Sequence, residues 1–501
     1  MARFSKTAKP IVIAAAALLV LGGVLAVLLL TSPKEENDSQ ESSTVSETVN
    51  ITNKTADNVV KLSVENKKGS FSLNRRQRTV TNTDEDGNTS ESTEYYWTSD
   101  ELKGVPQDDT AVLDMVSGLA AFSAKKTVEE NAEDLEQYGL SQPLAKATIE
   151  FDDGTSAEFS FGNKNPVDDS GIYMLAGDNN NVLLAAYSAV EKVFSDVKDF
   201  AELLLTDSYS SGDNELEYLK IERQDMEQPV EIKYMSELDE ANENEDLVVS
   251  SSNTHRFVSP ITAELDYTNG RSLWYNLYGL TADSVAYTEQ TAENLEKCGL
   301  SEPYAKVEFK YSGVERTLLL GSENEDKTGY YFTLSTVPGI YTISKDTAVW
   351  YTFGIGDVIS RRPLSPYIYS LDTLEISTPE GEFIYNIDSE NQTFTCNGEE
   401  IDSDNFRSFY RMLIGTIGEE YYTGEVESTI PQVTVRFNYK SEYAGVYGRT
   451  QDTLEFFGNG DRKNIIKLNG DTLFKVSGIY TTRLIKNVDA LLQGGEVNID
   501  W

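Results

Sequence analysis

Short runs in which apolar and polar residues alternate recur along most of the chain. Residues 59–64, 216–221 and 371–376 show this alternation, and a period of two is typical of strands with one buried face. Each run is followed by further strand-like segments and by a segment with helical periodicity. The pattern predicts an α+β fold made of three modules, each an antiparallel sheet with one or two packed helices.

One main helix is expected in each module, from apolar residues that recur at helical spacing. In the first, residues 110–124 follow a start at Asp108 or Asp109 and carry Val112, Leu113, Val116, Leu119 and Ala120 on one face. In the third, Asp402 or Ser403 would cap a helix bearing Phe406, Phe409, Tyr410, Leu413 and Ile417. The best segment in the second module is 272–280, and a further helix is expected near 483–492.

A block of sixteen residues occurs twice, at 131–146 and at 291–306, with ten identical positions. Such self-similarity indicates a duplicated structural unit. The three modules are expected to span residues 58–208, 214–366 and 368–501. The third module keeps the order of elements but lacks the shared signature. The signature positions, all expected to be structural, are Leu135, Gly139, Leu140, Pro143, Gly162 and Gly171, repeated as Leu295, Gly299, Leu300, Pro303, Gly321 and Gly329.

The N-terminal region has the pattern of a membrane anchor. Uncharged, almost wholly apolar positions run from Ile11 to Leu30, which is long enough to cross the hydrocarbon core of a bilayer. Arg3, Lys6 and Lys9 precede them, and this charge bias favours a cytoplasmic N-terminus. We therefore expect a basic tip at 1–10, a transmembrane helix at 11–31 and a disordered acidic, Ser/Thr-rich stalk at 32–57. The alternative to an uncleaved anchor is a cleaved signal peptide.

The net charge of the chain makes some classes of binding partner unfavourable. A net charge of −41, from 83 Asp and Glu against 42 Lys and Arg, would repel the phosphate backbone of nucleic acids. The same charge favours solubility and is compatible with weak Ca²⁺ binding at the surface. Only Cys298 and Cys396 are present, so a disulfide framework is excluded, and two buried thiols are expected rather than one bridge.

Few residues in the sequence suggest catalysis or metal binding. Residues 82–87 have the first half of a calcium-loop pattern, but Thr93 takes the place of the closing Glu, which favours a hairpin turn. His255 is the only histidine and is expected to be exposed or to begin a strand. Adjacent acids such as Asp152 and Asp153 are too frequent in this chain to indicate catalysis. We predict no catalytic, cofactor-binding or metal-binding residue.

Eight aromatic residues could stack on sugars or line a groove for a partner, but packing in cores and sheets is the simpler expectation. They are Trp97, Trp274, Tyr275, Tyr278, Trp350, Tyr351, Tyr421 and Tyr422.

The motif Tyr138-Gly139-Leu140-Ser141-x-Pro143 and its copy at 298–303 resemble the domain of unknown function 4340 family. The resemblance covers roughly residues 60–360. It implies a bacterial extracytoplasmic protein behind one membrane helix, in a family associated with ABC-type export systems. It brings no catalytic residue with it.

These observations together predict a single-pass cell-membrane protein with an extracytoplasmic, non-catalytic repeat region. Its expected role is that of an accessory or interaction subunit of an ABC-type exporter, with the permease and its ATPase as partners and no cofactor. One alternative is a glycan-binding or cell-wall-binding surface protein. The second alternative is a carboxylate-dependent hydrolase, which would need two close acids in a cleft.

Overall fold

The computed structural model of the protein describes residues 48–83, 89–167, 170–210, 215–237, 255–460 and 462–499. Among these residues, no helix has both the length and the apolar composition needed to cross a membrane. The segment from Ile11 to Leu30, expected to be an anchor, lies outside the described residues, as does most of the expected stalk.

Module I contains an eight-stranded antiparallel sheet in the order β4-β3-β2-β7-β8-β9-β10-β6, and β1 pairs with β5 as a separate ribbon. Its 3-10 helices are Ala56–Asn58, Asp100–Leu102, Glu136–Tyr138, Tyr187–Ala189, Glu191–Phe194 and Val197–Phe200. The remaining elements are β1 Val49–Asn50, β2 Val59–Asn66, β3 Gly69–Thr83, β4 Thr89–Thr98, α1 Asp109–Ala120, β5 Ser123–Ala124, β6 Lys126–Glu129, β7 Ala145–Phe151, β8 Ser156–Lys164, β9 Gly171–Ala176 and β10 Val182–Ala186.

Module II contains a nine-stranded antiparallel sheet in the order β14-β13-β12-β11-β16-β17-β18-β19-β15. A 3-10 helix spans Val349–Tyr351. The remaining elements are β11 Leu216–Arg223, β12 Val230–Tyr234, β13 His255–Ser259, β14 Ala263–Glu264, α2 Asn269–Tyr275, β15 Ser284–Tyr287, α3 Ala292–Lys297, β16 Ala305–Tyr311, β17 Val314–Glu323, β18 Gly329–Leu334, β19 Ile340–Ser344 and α4 Ile355–Val358.

Module III contains a second nine-stranded sheet, in the order β23-β22-β21-β20-β25-β26-β27-β28-β24. A 3-10 helix at Ile368–Ser370 precedes it. The remaining elements are β20 Leu371–Thr378, β21 Gly381–Asp388, β22 Thr393–Cys396, β23 Glu399–Ile401, α5 Ser403–Ile414, β24 Glu420–Tyr421, β25 Val433–Tyr439, α6 Ser441–Tyr447, β26 Gln451–Gly458, β27 Lys463–Leu468, β28 Asp471–Ser477 and α7 Gly478–Leu492.

The three sheets share one topology. In each, the first strand lies in the middle, an N-terminal meander extends from one side of it, and a C-terminal meander extends from the other. A strand that comes before the second meander in sequence closes the far edge. The prediction of tandem antiparallel sheets with few helices is confirmed, and the third module keeps this strand order without the repeat signature.

Burial explains the alternating pattern. In β7 the residues that face the core are Ala145, Ala147, Ile149 and Phe151, and their neighbours are more exposed. The core of module I is separate, whereas modules II and III share one apolar cluster that also receives Leu102, Val105, Ala201 and Leu205 from module I.

Helix α1 is shorter than the sequence pattern predicts. Asp108 caps it by accepting hydrogen bonds from the amides of Thr110 and Ala111, but the helix ends at Ala120 because Ser123–Ala124 pairs with Val49–Asn50 as a strand. The side chain of Leu113, expected on the buried face, is exposed.

The stalk was predicted to extend too far. Within residues 49–57, Val49–Asn50 forms a strand, and the hydroxyl of Thr52 donates to Leu119 O and accepts from Phe122 N. Ile51 and Ala56 pack against the core of module I. The composition of this segment is polar, but backbone pairing with the end of α1 gives it a fixed place.

The other two main helices also differ from their predicted bounds. Asp402 caps α5, and four of the predicted apolar residues are buried, whereas Ile417 lies beyond the helix end and is exposed. In module II, α2 covers Asn269–Tyr275 rather than 272–280.

The connection between modules I and II pairs with the chain that leads into the edge strand β15. Leu205 N donates to Leu280 O, Ala282 N donates to Leu203 O, and Gly279 N donates to Asp207 O. At the next junction, Gly418 N donates to Arg361 O, and the Arg361 Nε donates back to Gly418 O just before β24. Both connections are therefore hydrogen-bonded to the segment before an edge strand, although the second relies partly on a side chain.

Candidate functional site: a cationic cavity in module III

The repeat signature forms a tight turn that packs on the sheet. Gly139 ends a 3-10 turn with φ +69°, and Gly299 has φ +67° at the end of α3. A Cβ on Gly162 would lie 2.2 Å from Tyr138 O, and one on Gly321 would lie 2.1 Å from Cys298 O. The glycines therefore allow two backbone segments to touch.

The other signature positions also lie in packing contacts. Leu140 and Leu300 are buried in small apolar clusters, with Leu135 and Leu295 packed beside them. Pro143 and Pro303 are half-buried. A Cβ on Gly171 or Gly329 would press on the neighbouring strand. The contacts of these positions are backbone and apolar ones, so the signature indicates how the module is built.

His255 begins β13, as expected, but it is buried rather than exposed. One ring nitrogen lies 2.9 Å from Leu216 O, and the ring stacks on Trp274 with centroids 4.7 Å apart. Tyr234 packs beside it. These contacts place the imidazole in a structural aromatic cluster.

Most of the candidate aromatic residues also pack into the protein. Trp97, Trp274, Trp350 and Tyr278 are buried. The remaining four, Tyr275, Tyr351, Tyr421 and Tyr422, are half-buried. These three tryptophans therefore belong to the apolar cores.

Both cysteines are free and buried. Burial raises the pKa of each thiol to about 11, which disfavours the reactive thiolate.

The acidic residues of the described chain do not gather into a metal site of three or more ligands. Asp153 pairs with Lys54 at 2.6 Å, and hydrogen bonds from Lys54 and Thr155 hold its pKa well below the usual range. Most of the calcium-loop-like stretch lies outside the described residues. Its flanking strands pair at Thr83 and Thr89, as a hairpin requires.

A cavity of about 630 Å³ opens in module III, and we call it the cationic cavity. It lies between the β26–β27 turn and the start of α7. Its described lining contains no Asp or Glu and consists of Gln432, Gly458, Asn459, Gly460, Arg462, Lys463, Asn464, Gly478, Ile479, Thr482, Arg483, Lys486, Asn487 and Asn498.

Four cations line this cavity in a chain of net charge −41. Lys463 is engaged by Glu419 at 3.5 Å and by Glu420 at 3.7 Å. Arg462, Arg483 and Lys486 form no ion pair with any residue that the structure describes. Three positive side chains therefore line the cavity without an ion pair in the described part of the chain.

The turn and the helix that carry these cations are joined by their backbones. Gly478 N donates to Arg462 O at 2.7 Å, and a Cβ on Gly478 would lie 2.8 Å from the same oxygen. Ser477 caps α7 by accepting from Ile479 N. The first turn of this helix adds a partial positive charge to the cavity wall.

Two buried amides fix the floor of the cavity. Asn464 donates to the side chains of Gln432 and Thr481. Asn487 donates to Asn498 O and accepts from Asn498 N. Because both amide groups are held by several hydrogen bonds, the cavity is shaped before any ligand arrives.

This arrangement suits recognition of an anion. Guanidinium groups bind carboxylate and phosphate oxygens with two parallel hydrogen bonds, and an ammonium group adds a mobile positive charge. Sequence reasoning missed the site because its cations come from two separate segments. The i, i+3 spacing of Arg483 and Lys486 on one helix was the available indication.

A second cavity, the hydroxyl-lined groove, lies at the junction of modules I and II and measures about 870 Å³. Lys103 contributes from module I, and the β15–α3 connection, β17, β18 and the β18–β19 turn contribute the rest. Its hydroxyl side chains are Thr288, Thr291, Thr317, Thr333, Ser335 and Thr336.

Comparison with known proteins identifies one family. The model of the domain of unknown function DUF4340 matches residues 97–245 and 256–413, together more than half of the chain. The first match begins in β4 and extends past β12, and the second begins in β13 and ends in α5, so each includes a junction between modules. No curated protein and no solved structure matches the chain. The chain belongs to the DUF4340 family and contains two tandem copies of its domain.

Proposed function

We propose that this chain is a membrane-anchored, extracytoplasmic and non-catalytic protein that serves an ABC-type exporter as an accessory or interaction subunit. The segment from Ile11 to Leu30 would hold it in the bilayer, and the three modules would present binding surfaces to the exporter or its cargo.

The cationic cavity is the observation that carries this proposal. A preformed cavity with Arg462, Arg483 and Lys486 directed to it is suited to binding, since these groups can hold an anionic part of a partner or cargo. The local positive field would also attract that group against the negative field of the whole chain.

The repeated junctions support a binding role as well. At both junctions the connecting chain is hydrogen-bonded to the segment that precedes the edge strand, by backbone bonds at the first and by one backbone bond and the Arg361 side chain at the second. A rigid array loses little conformational entropy when it binds a large partner.

Crosslinking in native membranes, followed by purification and mass spectrometry, tests the proposal. The full chain should recover ABC permease and ATPase subunits, and the triple variant Arg462→Gln, Arg483→Gln and Lys486→Gln should recover several-fold less. The matched control replaces Lys67, Lys126 and Lys146 by Gln, three exposed lysines of module I without ion pairs in the described structure. Equal recovery from both variants, or no exporter subunit with the full chain, would contradict the proposal.

A glycan-binding function is the second candidate, and the hydroxyl-lined groove favours it. Six hydroxyl side chains along one groove offer donors and acceptors that suit a carbohydrate. The test is binding of cell-wall glycan by the full chain. Binding that is lost in Thr336→Val but kept in the cationic triple variant would support glycan recognition at this groove.

A further inference from the structure

An apolar groove of about 410 Å³ adjoins the cationic cavity. Its lining is Gly415, Ile417, Glu419, Val476, Ser477, Ile479, Tyr480 and Arg483. Ile479 and Arg483 line both spaces, so the start of α7 separates a mostly apolar wall from a cationic one.

Two large apolar side chains are exposed in this groove. Ile479 is 68% exposed and Ile417 is 48% exposed. Leaving them in water is unfavourable by roughly 25 cal/mol for each Å² of apolar surface, and a ligand that covers them recovers this free energy. The groove therefore favours an apolar ligand segment.

The wall behind these residues is firmly held. The hydroxyl of Tyr480 donates to Leu413 O and accepts from Thr416, so the ring lines the groove while its polar end is already bonded. Glu419, the one carboxylate of the lining, lies 3.5 Å from Lys463. Its charge is thereby partly neutralised at the boundary between groove and cavity.

We propose that the cationic cavity and the apolar groove together bind a lipid with an anionic headgroup. The headgroup lies among Arg462, Arg483 and Lys486, and an acyl chain covers Ile479 and Ile417. This proposal rests on the anion site of the proposed function and specifies its ligand. Charge complementarity selects the headgroup, and the adjoining apolar wall distinguishes a lipid from a small polar anion.

Binding can be measured on the full chain held in nanodiscs of phosphatidylcholine. The probes are dihexanoyl phosphatidylglycerol below its micelle concentration, the matching dihexanoyl phosphatidylcholine, and inorganic phosphate. Hydrogen exchange of peptides covering 458–492 reports occupancy of the site. We expect phosphatidylglycerol to slow exchange there at a concentration at least about tenfold lower than either control, which corresponds to about 1.4 kcal/mol.

Two variants separate the parts of the site. Arg483→Gln with Lys486→Gln should abolish the advantage of phosphatidylglycerol over phosphatidylcholine, and Ile479→Asn should abolish its advantage over phosphate. The matched controls are Lys467→Gln and Ile430→Asn, since neither residue lines the groove and Ile430 is 76% exposed. Both controls should bind like the unchanged protein, and unaltered thermal unfolding shows that each variant is folded.

The outcomes are distinguishable. Equal binding of phosphate and phosphatidylglycerol overturns the lipid proposal but keeps the anion site of the proposed function. Equal binding of phosphatidylcholine also overturns it, because charge then plays no part. No binding of any probe overturns the lipid proposal, and the crosslinking experiment then decides separately whether the cavity engages a protein.

Discussion

Gly321 and Cys298 touch through their backbones, and a Cβ on the glycine would sit 2.1 Å from Cys298 O. Ser322 N donates to the same oxygen at 2.9 Å. The carbonyl is therefore fixed between two groups and cannot move aside for a larger residue.

Gly321→Ala should lower the free energy of unfolding by about 1–3 kcal/mol, because overpacking forces the turn away from the sheet. The midpoint of urea denaturation measures this loss. Gly445→Ala is the matched control: a Cβ there meets nothing within 4 Å, and replacing a glycine within helix α6 should be neutral or stabilising. An equal decrease in the free energy of unfolding in both variants would contradict the close contact between Gly321 and Cys298.

Asp452 should be required for the stability of module III. It is fully buried and accepts from Arg449 Nε, Tyr439 OH and Asn469 Nδ2. Asp452→Asn should lower the free energy of unfolding by about 3 kcal/mol at pH 7, since it leaves a largely buried guanidinium without its counterion. Asp471→Asn, at an exposed position of strand β28 in the same sheet, is the control.

The same carboxylate predicts a pH dependence. Burial alone would raise the pKa of Asp452, but hydrogen bonds from Arg449, Tyr439 and Asn469 and the charge of Arg449 outweigh it and lower the pKa. Its stabilising contribution is present above the unfolded pKa of about 3.9 and is lost as the pH falls through the folded value. The difference in unfolding free energy between the unchanged protein and Asp452→Asn should therefore shrink below about pH 4. A difference that stays constant down to pH 2 would argue against the ion pair.

Neither thiol should react in the folded protein. With pKa values near 11 and full burial, Cys298 and Cys396 expose almost no thiolate at pH 8. Mass spectrometry after iodoacetamide treatment should find them unmodified in the native chain and both alkylated in urea. Rapid native modification of either would place that residue nearer the surface.

Thr206 should hold the junction between modules I and II. Its hydroxyl donates to Leu277 O at 2.7 Å and accepts from Leu280 N at 2.8 Å. Thr206→Val leaves both groups unsatisfied, which costs about 1–3 kcal/mol. Limited proteolysis should then cut near residues 201–215 sooner than in the unchanged protein, whereas Thr281→Val, at an exposed position, should leave the cleavage rate unaltered.

The sequence pattern predicted the strands well because one face of each sheet is buried and the alternation follows that burial. The helix ends were harder to place. Helix α7 begins at Gly478, well before the expected 483, because Ser477 caps it while Gly478 packs against Arg462. A serine cap was visible in the sequence, but the glycine that follows it argued against a helix.

The cationic cavity was beyond sequence reasoning for a different reason. Net charge describes the whole surface, whereas a binding field depends on which side chains the fold brings together. Lys463 and Arg483 line the same cavity only because β27 and α7 lie side by side. Likewise, His255 and the tryptophans could be assigned to packing only after their neighbours were known.

The paired junctions give the array a direction of assembly. Residues 203–207 leave the ribosome before 277–282, so the backbone partners of Leu280 and Ala282 already exist when that part of module II is made. A chain truncated from its C-terminus keeps every junction upstream of the cut, whereas a chain that starts after Asp207 exposes unpaired amides at the edge of its first sheet. Loss of the last module instead uncovers the apolar cluster that modules II and III share, so a shortened chain should expose unpaired amides at one end or apolar surface at the other.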